Sequence, residues 1–344
     1  MVRALGRGGS RPGTRRHSRQ GGGVMAWRPA RADVWSGRDD GNDPRARRWH
    51  QAVRPWEWNS NESVQRTVVI LGYAVDAGVR RNKGRAGAAE APAALRRACS
   101  NLPCPGAPIA LADGGDIIAD GDDVLGAQVE LARRVANAQS RGARTLVFGG
   151  GHDVAFGHWL GLATQDGTAP RDGVTASVNL DAHLDNRPVP PEGPNSGTSY
   201  SQMHAWCVAN ARSFAALALG IQRASNTAAL FARAEEQGYA WQGPASLASS
   251  RIDASLAAIA RHERVHLTVD LDCFAAAYAP GVSAPTPLGV GPEAAESIRR
   301  CIASCHVCGA DLAELAPALD PDGRTARLAA ALAFEIVDAW SMLR

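Results

Sequence analysis

The chain has 344 residues, of which 45% are hydrophobic and 21% are charged, so it is long enough to bury a large core. It contains no run of eighteen apolar residues, which argues against a membrane-spanning helix. The formal charge is +3, but residues 1–24 contain six arginines and no acidic residue, so the rest of the chain carries −3. The basic character therefore belongs to the amino-terminal segment and does not predict a nucleic-acid-binding face on the fold.

Residues 1–34 are predicted to be a disordered extension rich in arginine and glycine, and residues 35–344 to be one domain. The first 24 residues lack apolar periodicity. No apolar segment follows the arginines, so a secretory signal is not indicated. We expect Met25 to be the physiological initiator; the alternative is an arm that binds nucleic acid or a membrane surface.

Strand-like apolar segments alternate with helical segments along the chain. Strands are predicted at 67–75, 145–149, 176–181, 215–221, 265–271 and 306–314. Helical spacing occurs at 91–99, 124–142, 226–238 and 292–305. This alternation predicts an α/β fold in which helices cover both faces of a parallel sheet.

Six candidate metal ligands occur in three short motifs, each at the end of a predicted strand. Side chains at i and i+2 of a strand point to the same face, and ligands of parallel sheets bind beyond the carboxyl ends of the strands. Imidazoles and carboxylates without thiolates favour a divalent cation such as Mn²⁺, and six donors can serve two ions. The six are His152 in GGGHD, Asp181, His183 and Asp185 in NLDAHLD, and Asp270 and Asp272 in LTVDLD.

Two further motifs have simpler interpretations than the ones they first suggest. The run Gly149-Gly150-Gly151 completes neither common phosphate-binding pattern, so we interpret it as letting the backbone pass close to the metals. Cys305 and Cys308 form a CxxC without a second pair, so we expect a buried strand and not a zinc knuckle. The seven cysteines show no secreted disulfide framework, and a cytoplasmic location is predicted.

These motifs resemble those of the ureohydrolase superfamily, which includes arginase and agmatinase. The shared patterns are GGxHD/E, DAHxD and S/TxDxD followed by Pro-Gly, here GGGHD, DAHLD and TVDLD with Pro280-Gly281. Within the superfamily, the chain is most similar to the formimidoylglutamase branch. This similarity lies in the stretches WSGRDDGNDPRARRWHQ, DAGVRRNKGRAGAAEAP, NSGTSYSQ, LGIQRASNTAALF and YAPGVSAP. The resemblance runs from about Trp35 to the last residue. It implies the three-layer α/β/α arginase-like fold with a mainly parallel sheet of about eight strands.

The resemblance also implies two Mn²⁺ ions per subunit, which would lower the pKa of a shared water. Asp181 and Asp270 would bridge the ions; His152 and Asp185 would complete one ligand set, and His183 and Asp272 the other. The implied reaction, a step of histidine degradation, hydrolyses the amidine C–N bond of N-formimidoyl-L-glutamate to L-glutamate and formamide. Asp185 and Glu314 would be catalytic, Asp185 passing a proton to the leaving amine and Glu314 pairing with the amidinium. The resemblance also implies a homo-oligomer, because relatives of this type usually assemble from several identical chains.

Such a substrate has two carboxylates, so its pocket should contain arginines. Candidates in loops beside strand ends are Arg80, Arg81, Arg85, Arg187 and Arg223, and Ser196, Asn226 and Glu314 complete the predicted substrate-binding set. Tyr200 occupies the place of the proton-shuttling histidine of arginases, with His204 one helical turn further on, and Ala316 replaces the usual asparagine. The identity of the proton shuttle therefore stays open between Tyr200 and His204.

Three other functions remain open from the sequence. A sister amidinohydrolase acting on a guanidino acid, arginine or agmatine would use the same metals but release urea. A deacetylase-like zinc hydrolase would need only one metal. A ureohydrolase homologue that has lost its activity would serve as a non-catalytic binding or assembly module, although the intact ligand motifs argue against this function.

Overall fold

The computed structural model describes residues 27–29, 31–247 and 251–343. Ten strands lie in one sheet: β1 Trp27–Arg28, β2 Arg54–Pro55, β3 Thr67–Ala74, β4 Ala110–Ile118, β5 Arg144–Phe148, β6 Thr175–Leu180, β7 Ala216–Leu219, β8 Ala240–Gln242, β9 Arg264–Asp270 and β10 Val307–Ala313. Their order is β1-β4-β3-β5-β10-β9-β6-β7-β8, and β2 also pairs with β4. Within these residues every pairing is parallel except that of β1 with β4.

Ten α-helices accompany the strands in the described residues: α1 Trp49–Ala52, α2 Ala77–Arg81, α3 Ala91–Cys99, α4 Val124–Ser140, α5 Val154–Ala163, α6 Ser199–Ala209, α7 Ala228–Gln237, α8 Arg251–Ala260, α9 Ala294–Ser304 and α10 Arg324–Met342. Helices α3, α10, α9 and α8 pack side by side in one layer, and α4, α5 and α6 in another. The sheet lies between these layers, with large apolar clusters on its two faces. None of the helices in the described residues combines the length and the apolar character that crossing a bilayer requires.

The six predicted strands are all present, each within two residues of its predicted bounds, and the α/β architecture is confirmed. Eight strands have three or more residues, which agrees with the expected sheet of about eight; β1 and β2 add two short pairings. Cys305 and Cys308 are buried free thiols; Cys308 lies in β10, as the strand interpretation expected, whereas Cys305 caps the end of α9.

Strand β4 was missed because its sequence, ALADGGDII, carries two aspartates and two glycines within a buried strand. Arg96, on α3, neutralises both carboxylates: its Nε lies 2.7 Å from Asp113 Oδ2 and its Nη1 lies 2.5 Å from Asp116 Oδ1. All three side chains are buried. A buried charge is tolerated when it is paired and hydrogen-bonded, so the local polarity of β4 hides a structural ion-pair network.

The predicted amino-terminal boundary needs correction. Residues 27–34 were assigned to the disordered extension, but β1 pairs antiparallel with β4, and Trp27 packs edge-on against Trp58. The guanidinium of Arg134 lies 4.3 Å from the centre of the Trp27 ring. The described chain is therefore attached to the sheet from Trp27 onward. Residues 1–26, including the proposed start at Met25, lie outside the described residues.

Candidate metal centre

The six predicted ligands meet at the carboxyl ends of neighbouring central strands. Strands β5, β10, β9 and β6 lie side by side in that order. His152 follows β5, Asp270 ends β9 and Asp181 follows β6, while Glu314 follows β10. Parallel strands end at one edge of the sheet, so residues far apart in the chain converge there.

The first donor group surrounds Nδ1 of His152. This atom lies 2.8 Å from Asp185 Oδ2, 3.2 Å from Asp181 Oδ2 and 3.2 Å from Asp270 Oδ2. One ligand atom from each of the four residues falls within 4.8 Å of every other. The group can therefore hold one cation with imidazole and carboxylate donors.

The second donor group surrounds Nδ1 of His183, which lies 3.1 Å from Asp272 Oδ2 and 3.6 Å from Asp181 Oδ1. Asp181 belongs to both groups, because its Oδ2 faces His152 and its Oδ1 faces His183. This is the arrangement of a bridging carboxylate. Asp270 Oδ2 faces the first group, whereas its Oδ1 accepts a hydrogen bond from the backbone N–H of Asp272 at 2.8 Å.

Short backbone turns fix the carboxylates. Asp181 Oδ1 accepts a hydrogen bond from the N–H of His183 at 2.7 Å, as Asp270 does from Asp272. Such local side-chain-to-backbone bonds orient an aspartate where a strand ends. Asp185 and Glu314 have the positive φ angles 44° and 69°, a conformation that non-glycine residues rarely adopt and that is found most often at functional sites.

The structure gives a steric reason for glycine at position 150. A Cβ on Gly150 would lie 1.9 Å from the carbonyl oxygen of Val75 and 2.7 Å from that of Tyr73. Glycine is required at this position because the chain leaving β5 passes against the end of β3. His152 reaches the centre after this passage.

The electrostatics of the centre suit divalent cations. Burial, together with the charges of Asp272 and Asp181, raises the pKa of Asp270 well above its usual range. Burial opposes protonation of His152, yet the neighbouring carboxylates raise the pKa of its imidazole well above 6.5. Asp272 Oδ1 is buried and has no hydrogen-bond partner among the described residues. Crowded buried carboxylates with an unsatisfied oxygen are stabilised by bound cations, so the donor set fits two hard or borderline metal ions.

A buried polar network lies beneath the centre. Nε2 of His152 is 2.9 Å from the hydroxyl of Thr268, which donates a hydrogen bond to Asp311. Asp311 Oδ2 lies 2.8 Å from Nδ1 of His158 and 2.6 Å from Nε2 of His266. Burial opposes ionisation of Asp311, but the two imidazoles lower its pKa below the usual range. These three residues could also group around a cation, but they already satisfy one another by hydrogen bonds.

A cleft of about 340 Å³ opens over the ligands. Asp181 lies below its floor, and the other five ligands line it. Of the predicted substrate-binding residues, Arg187, Ser196 and Glu314 line the cleft, and so does Arg85. Glu314 Oε1 accepts a hydrogen bond from the backbone N–H of His152 at 2.8 Å.

The other predicted substrate residues do not line the cleft. Arg80 pairs with Asp76 and Asp122, and Arg81 donates to the carbonyl oxygens of Pro194 and Asp122. Their guanidinium groups thus hold loops together. Their assignment to substrate binding, and that of the two residues in the next paragraph, stays a prediction that this geometry does not favour.

Arg223 is exposed in the 3₁₀ turn Arg223–Ser225, away from the cleft. Asn226 is buried and holds the DAHLD loop, donating to the carbonyl of Ala182 at 2.9 Å and accepting from the N–H of Leu184 at 3.0 Å.

Neither candidate proton shuttle lines the cleft. Tyr200 is buried, with its hydroxyl 2.9 Å from Ser177 Oγ and its ring stacked on Tyr239. The ring of His204 packs edge-on against Phe214. Asp185, whose side chain is 12% exposed, is better placed to exchange a proton with a bound molecule.

Four residues that the sequence motifs did not single out also line the cleft, namely Asn82, Lys83, Ser283 and Ala284. Lys83 has a φ of 65° and an exposed side chain with no hydrogen bond or ion pair to any described residue. It is the only lysine of the chain among 37 basic lysine and arginine residues. That imbalance was the available signal, because a sequence that uses arginine everywhere else retains one lysine here.

Comparison with known proteins places this geometry in a family. A family model described as the arginase family matches residues 66–338. A formimidoylglutamase of Geobacillus thermodenitrificans is 39% identical over 319 residues, covering 90% of this chain and 96% of that protein. One of Paraburkholderia xenovorans is 41% identical over 323 residues, covering 90% and 99%.

Solved structures share the fold. The crystal structure of formimidoylglutamase from Bacillus subtilis superimposes with a TM-score of 0.76 at 20% identity, covering 88% of this chain and 95% of that one. The Trypanosoma cruzi formiminoglutamase with Mn²⁺ gives a TM-score of 0.74 at 23% identity, covering 88% and 100%.

Proposed function

Because the chain belongs to the arginase family, we propose that it hydrolyses the amidine C–N bond of N-formimidoyl-L-glutamate to L-glutamate and formamide. The observation that carries the proposal is a cleft in which two groups of metal donors adjoin free cationic side chains and one buried glutamate. The extent of the match to formimidoylglutamases, nine tenths of the chain at 39–41% identity, supports this substrate over the others.

The metal ligands proposed are those of the two donor groups. His152, Asp185 and Asp270 would bind one ion and His183 and Asp272 the other, with Asp181 shared; the resemblance to the superfamily implies that Asp270 is shared as well. Mn²⁺ is the proposed metal because imidazole and carboxylate donors suit it, and because the related T. cruzi enzyme was crystallised with it. Two such ions, when bound, supply the Lewis acidity that activates a water and stabilises developing negative charge.

Glu314 is proposed to bind the amidinium of the substrate. Its Oε1 is fixed by the N–H of His152, and its carboxylate faces the cleft above the donor groups. A carboxylate held by one backbone hydrogen bond can accept a second, charge-assisted bond from an amidinium N–H. This pairing would place the electrophilic amidine carbon over the metal ligands.

Lys83, Arg85 and Arg187 are proposed to bind the two carboxylates of the substrate. No described residue forms a hydrogen bond or ion pair with the side chains of Lys83 or Arg187. Arg85 is held in place, since its Nε and Nη2 donate to the carbonyls of Ser283 and Val282 at 2.9 and 2.6 Å. These positively charged side chains can pair with the two carboxylates of a glutamyl group. They disfavour a cationic substrate such as agmatine.

Asp185 is proposed to take a proton from the attacking water and pass it to the departing amine. Its Oδ2 contacts Nδ1 of His152, and its side chain reaches the cleft. In the metal-free protein, burial and the charge of Asp181 raise its pKa; its access to the cleft is what supports a proton-transfer role. Collapse toward products then yields formamide and L-glutamate.

A product assay tests the proposal. Purified protein loaded with Mn²⁺ is given N-formimidoyl-L-glutamate, 4-guanidinobutyrate, arginine and agmatine in separate reactions, and formamide and urea are measured by NMR. Formamide from the first substrate is the expected result. Urea from a guanidino compound without formamide would select the sister amidinohydrolase, and no product from any of them would select the non-catalytic module. Assembly from identical chains and a cytoplasmic location stay predictions, which sedimentation and cell fractionation would check.

A further inference from the structure

A second polar cleft lies at the opposite end of the sheet. This amino-end cleft has a volume of about 470 Å³ and is lined by residues that precede or begin β3, β5, β9 and β10. Its cationic lining comprises Arg66, Arg144, Arg171, Arg264 and His306. Strand β9 has seven residues between Arg264 and Asp270, so at about 3.3 Å per residue the two clefts are roughly 20 Å apart.

Among the described residues, the positive charge of the amino-end cleft is balanced only in part. No aspartate or glutamate is among the described residues that line it. The acidic group within ion-pair distance of a lining arginine is Glu263, 3.8 Å from Arg264 and largely exposed. Four guanidinium groups that share one cleft repel each other unless an anion lies between them.

Backbone carbonyls hold several of these arginines in place. Arg264 Nη2 donates to the carbonyl of Asp172 at 2.8 Å, and Arg66 Nε donates to that of Pro108 at 2.9 Å. Arg171 Nε donates to the carbonyl of Thr164. A guanidinium has five N–H donors, so each of these groups keeps further N–H donors after its anchoring bonds.

Two arginines have donors without partners. The side chain of Arg144 forms no hydrogen bond or ion pair with any described residue. Arg171 Nη2 is buried and lacks a hydrogen-bond partner within the described chain. Burial lowers the pKa of both guanidinium groups, and the nearby charges of Arg66 and Arg264 add to the effect. An unsatisfied buried donor costs stability, and an anion accepting its hydrogen bond would remove that cost.

We propose that the amino-end cleft binds a small divalent oxyanion, a phosphate-type or dicarboxylate group, through Arg144, Arg171 and Arg264. Guanidinium forks match the paired oxygens of both ligand types and bind them through parallel charge-assisted hydrogen bonds. The volume suits a small ligand. His306 lies at the rim, where its Nδ1 donates a hydrogen bond to the carbonyl of Glu263 at 2.7 Å. The site is separate from the metal centre, so it does not depend on which amidine the enzyme hydrolyses.

Calorimetric titration of the Mn²⁺-loaded protein tests the site, with sodium sulfate and sodium succinate as probes and sodium chloride at the same ionic strength as reference. We expect saturable binding of sulfate, succinate or both; sulfate alone identifies a phosphate-type site and succinate alone a dicarboxylate site. Binding no stronger than chloride to the wild-type protein overturns the proposal.

Matched variants locate the bound anion. Arg144→Gln should weaken binding by about tenfold or more, because a charge-assisted bond is lost, while the exposed Arg97→Gln should leave it unchanged. Arg187→Gln, in the metal-containing cleft, should also retain binding. If Arg187→Gln loses anion binding and Arg144→Gln retains it, the anion binds at the metal centre and the proposal is wrong. Arg264→Gln repeats the test if Arg144→Gln fails to fold.

Discussion

The Oγ1 atom of Thr268 lies 2.9 Å from Nε2 of His152, on the side of the ring that faces away from the carboxylates. The same hydroxyl donates to the buried carboxylate of Asp311, so it must accept from the imidazole N–H. This fixes the tautomer of His152 and leaves Nδ1 free to bind a metal. Thr268 is therefore a positioning residue.

Thr268→Val should lower the affinity of the protein for Mn²⁺ by about 10–100-fold, because an isosteric methyl group removes the acceptor. Metal titration followed by calorimetry measures the effect. Thr268→Ser is the matched control, since it keeps the hydroxyl and should retain the affinity within a few-fold. Equal affinity in the valine variant would show that this bond does not orient His152.

Arg187 and Arg223 give a direct comparison of two arginines that follow strand ends, one inside the cleft and one outside. Arg187→Met should raise KM for N-formimidoyl-L-glutamate about tenfold or more, with metal content unchanged, because a carboxylate loses its partner. Arg223→Met should leave KM unchanged. Steady-state kinetics and metal analysis of both variants measure these effects. If KM rises in Arg223→Met and not in Arg187→Met, the substrate pocket lies at the Arg223 turn.

The single lysine allows a chemical test. Acetylation with an amine-selective reagent can modify only Lys83 and the chain amino terminus. It should raise KM, because it removes a positive charge from the cleft, and bound substrate should protect Lys83. Peptide mass spectrometry measures the modification. Lys83→Arg keeps the charge and cannot be acetylated at this position, so its activity should survive the reagent; equal inactivation of both proteins would assign the effect to the amino terminus.

The metal-free protein should lose stability as the pH rises. Burial, with the charge of Asp272 adding to it, raises the pKa of Glu314 from 4.5 to about 8. The folded state thus holds this proton more tightly than the unfolded chain, so the contribution to stability is present below about pH 4.5 and is lost as the pH passes about 8. Burial shifts the pKa of Asp270 and Asp185 in the same direction.

Calorimetric Tm values between these two pH values, with chelator and with Mn²⁺, measure the effect. Bound cations neutralise the ionised carboxylates and should flatten the slope. Glu314→Gln should reduce the slope of the metal-free protein. A Tm that stays level in chelator would mean that these carboxylates are ionised in the fold without metal.

The sequence located the metal centre better than the substrate pocket. Metal ligands are short side chains at strand ends, so the i, i+2 spacing and the strand order determine where they lie. Arginine side chains are long, and a partner distant in the chain decides their direction: Asp122 draws Arg80 away, as the carbonyl of Pro194 does Arg81. Strand β4 was not predicted because its aspartates make it look exposed, although Arg96 neutralises them inside the fold. Helix α5 was not predicted because it is buried on all sides and therefore lacks an amphipathic pattern.

Three of the five described non-glycine residues with positive φ, namely Lys83, Asp185 and Glu314, line the cleft over the candidate metal ligands. Such conformations each cost on the order of 1–3 kcal/mol. Under selection for thermal stability alone, these three residues would therefore be replaced first, because their replacement relieves backbone strain. A thermostable variant that keeps its activity must therefore be stabilised by substitutions elsewhere in the molecule.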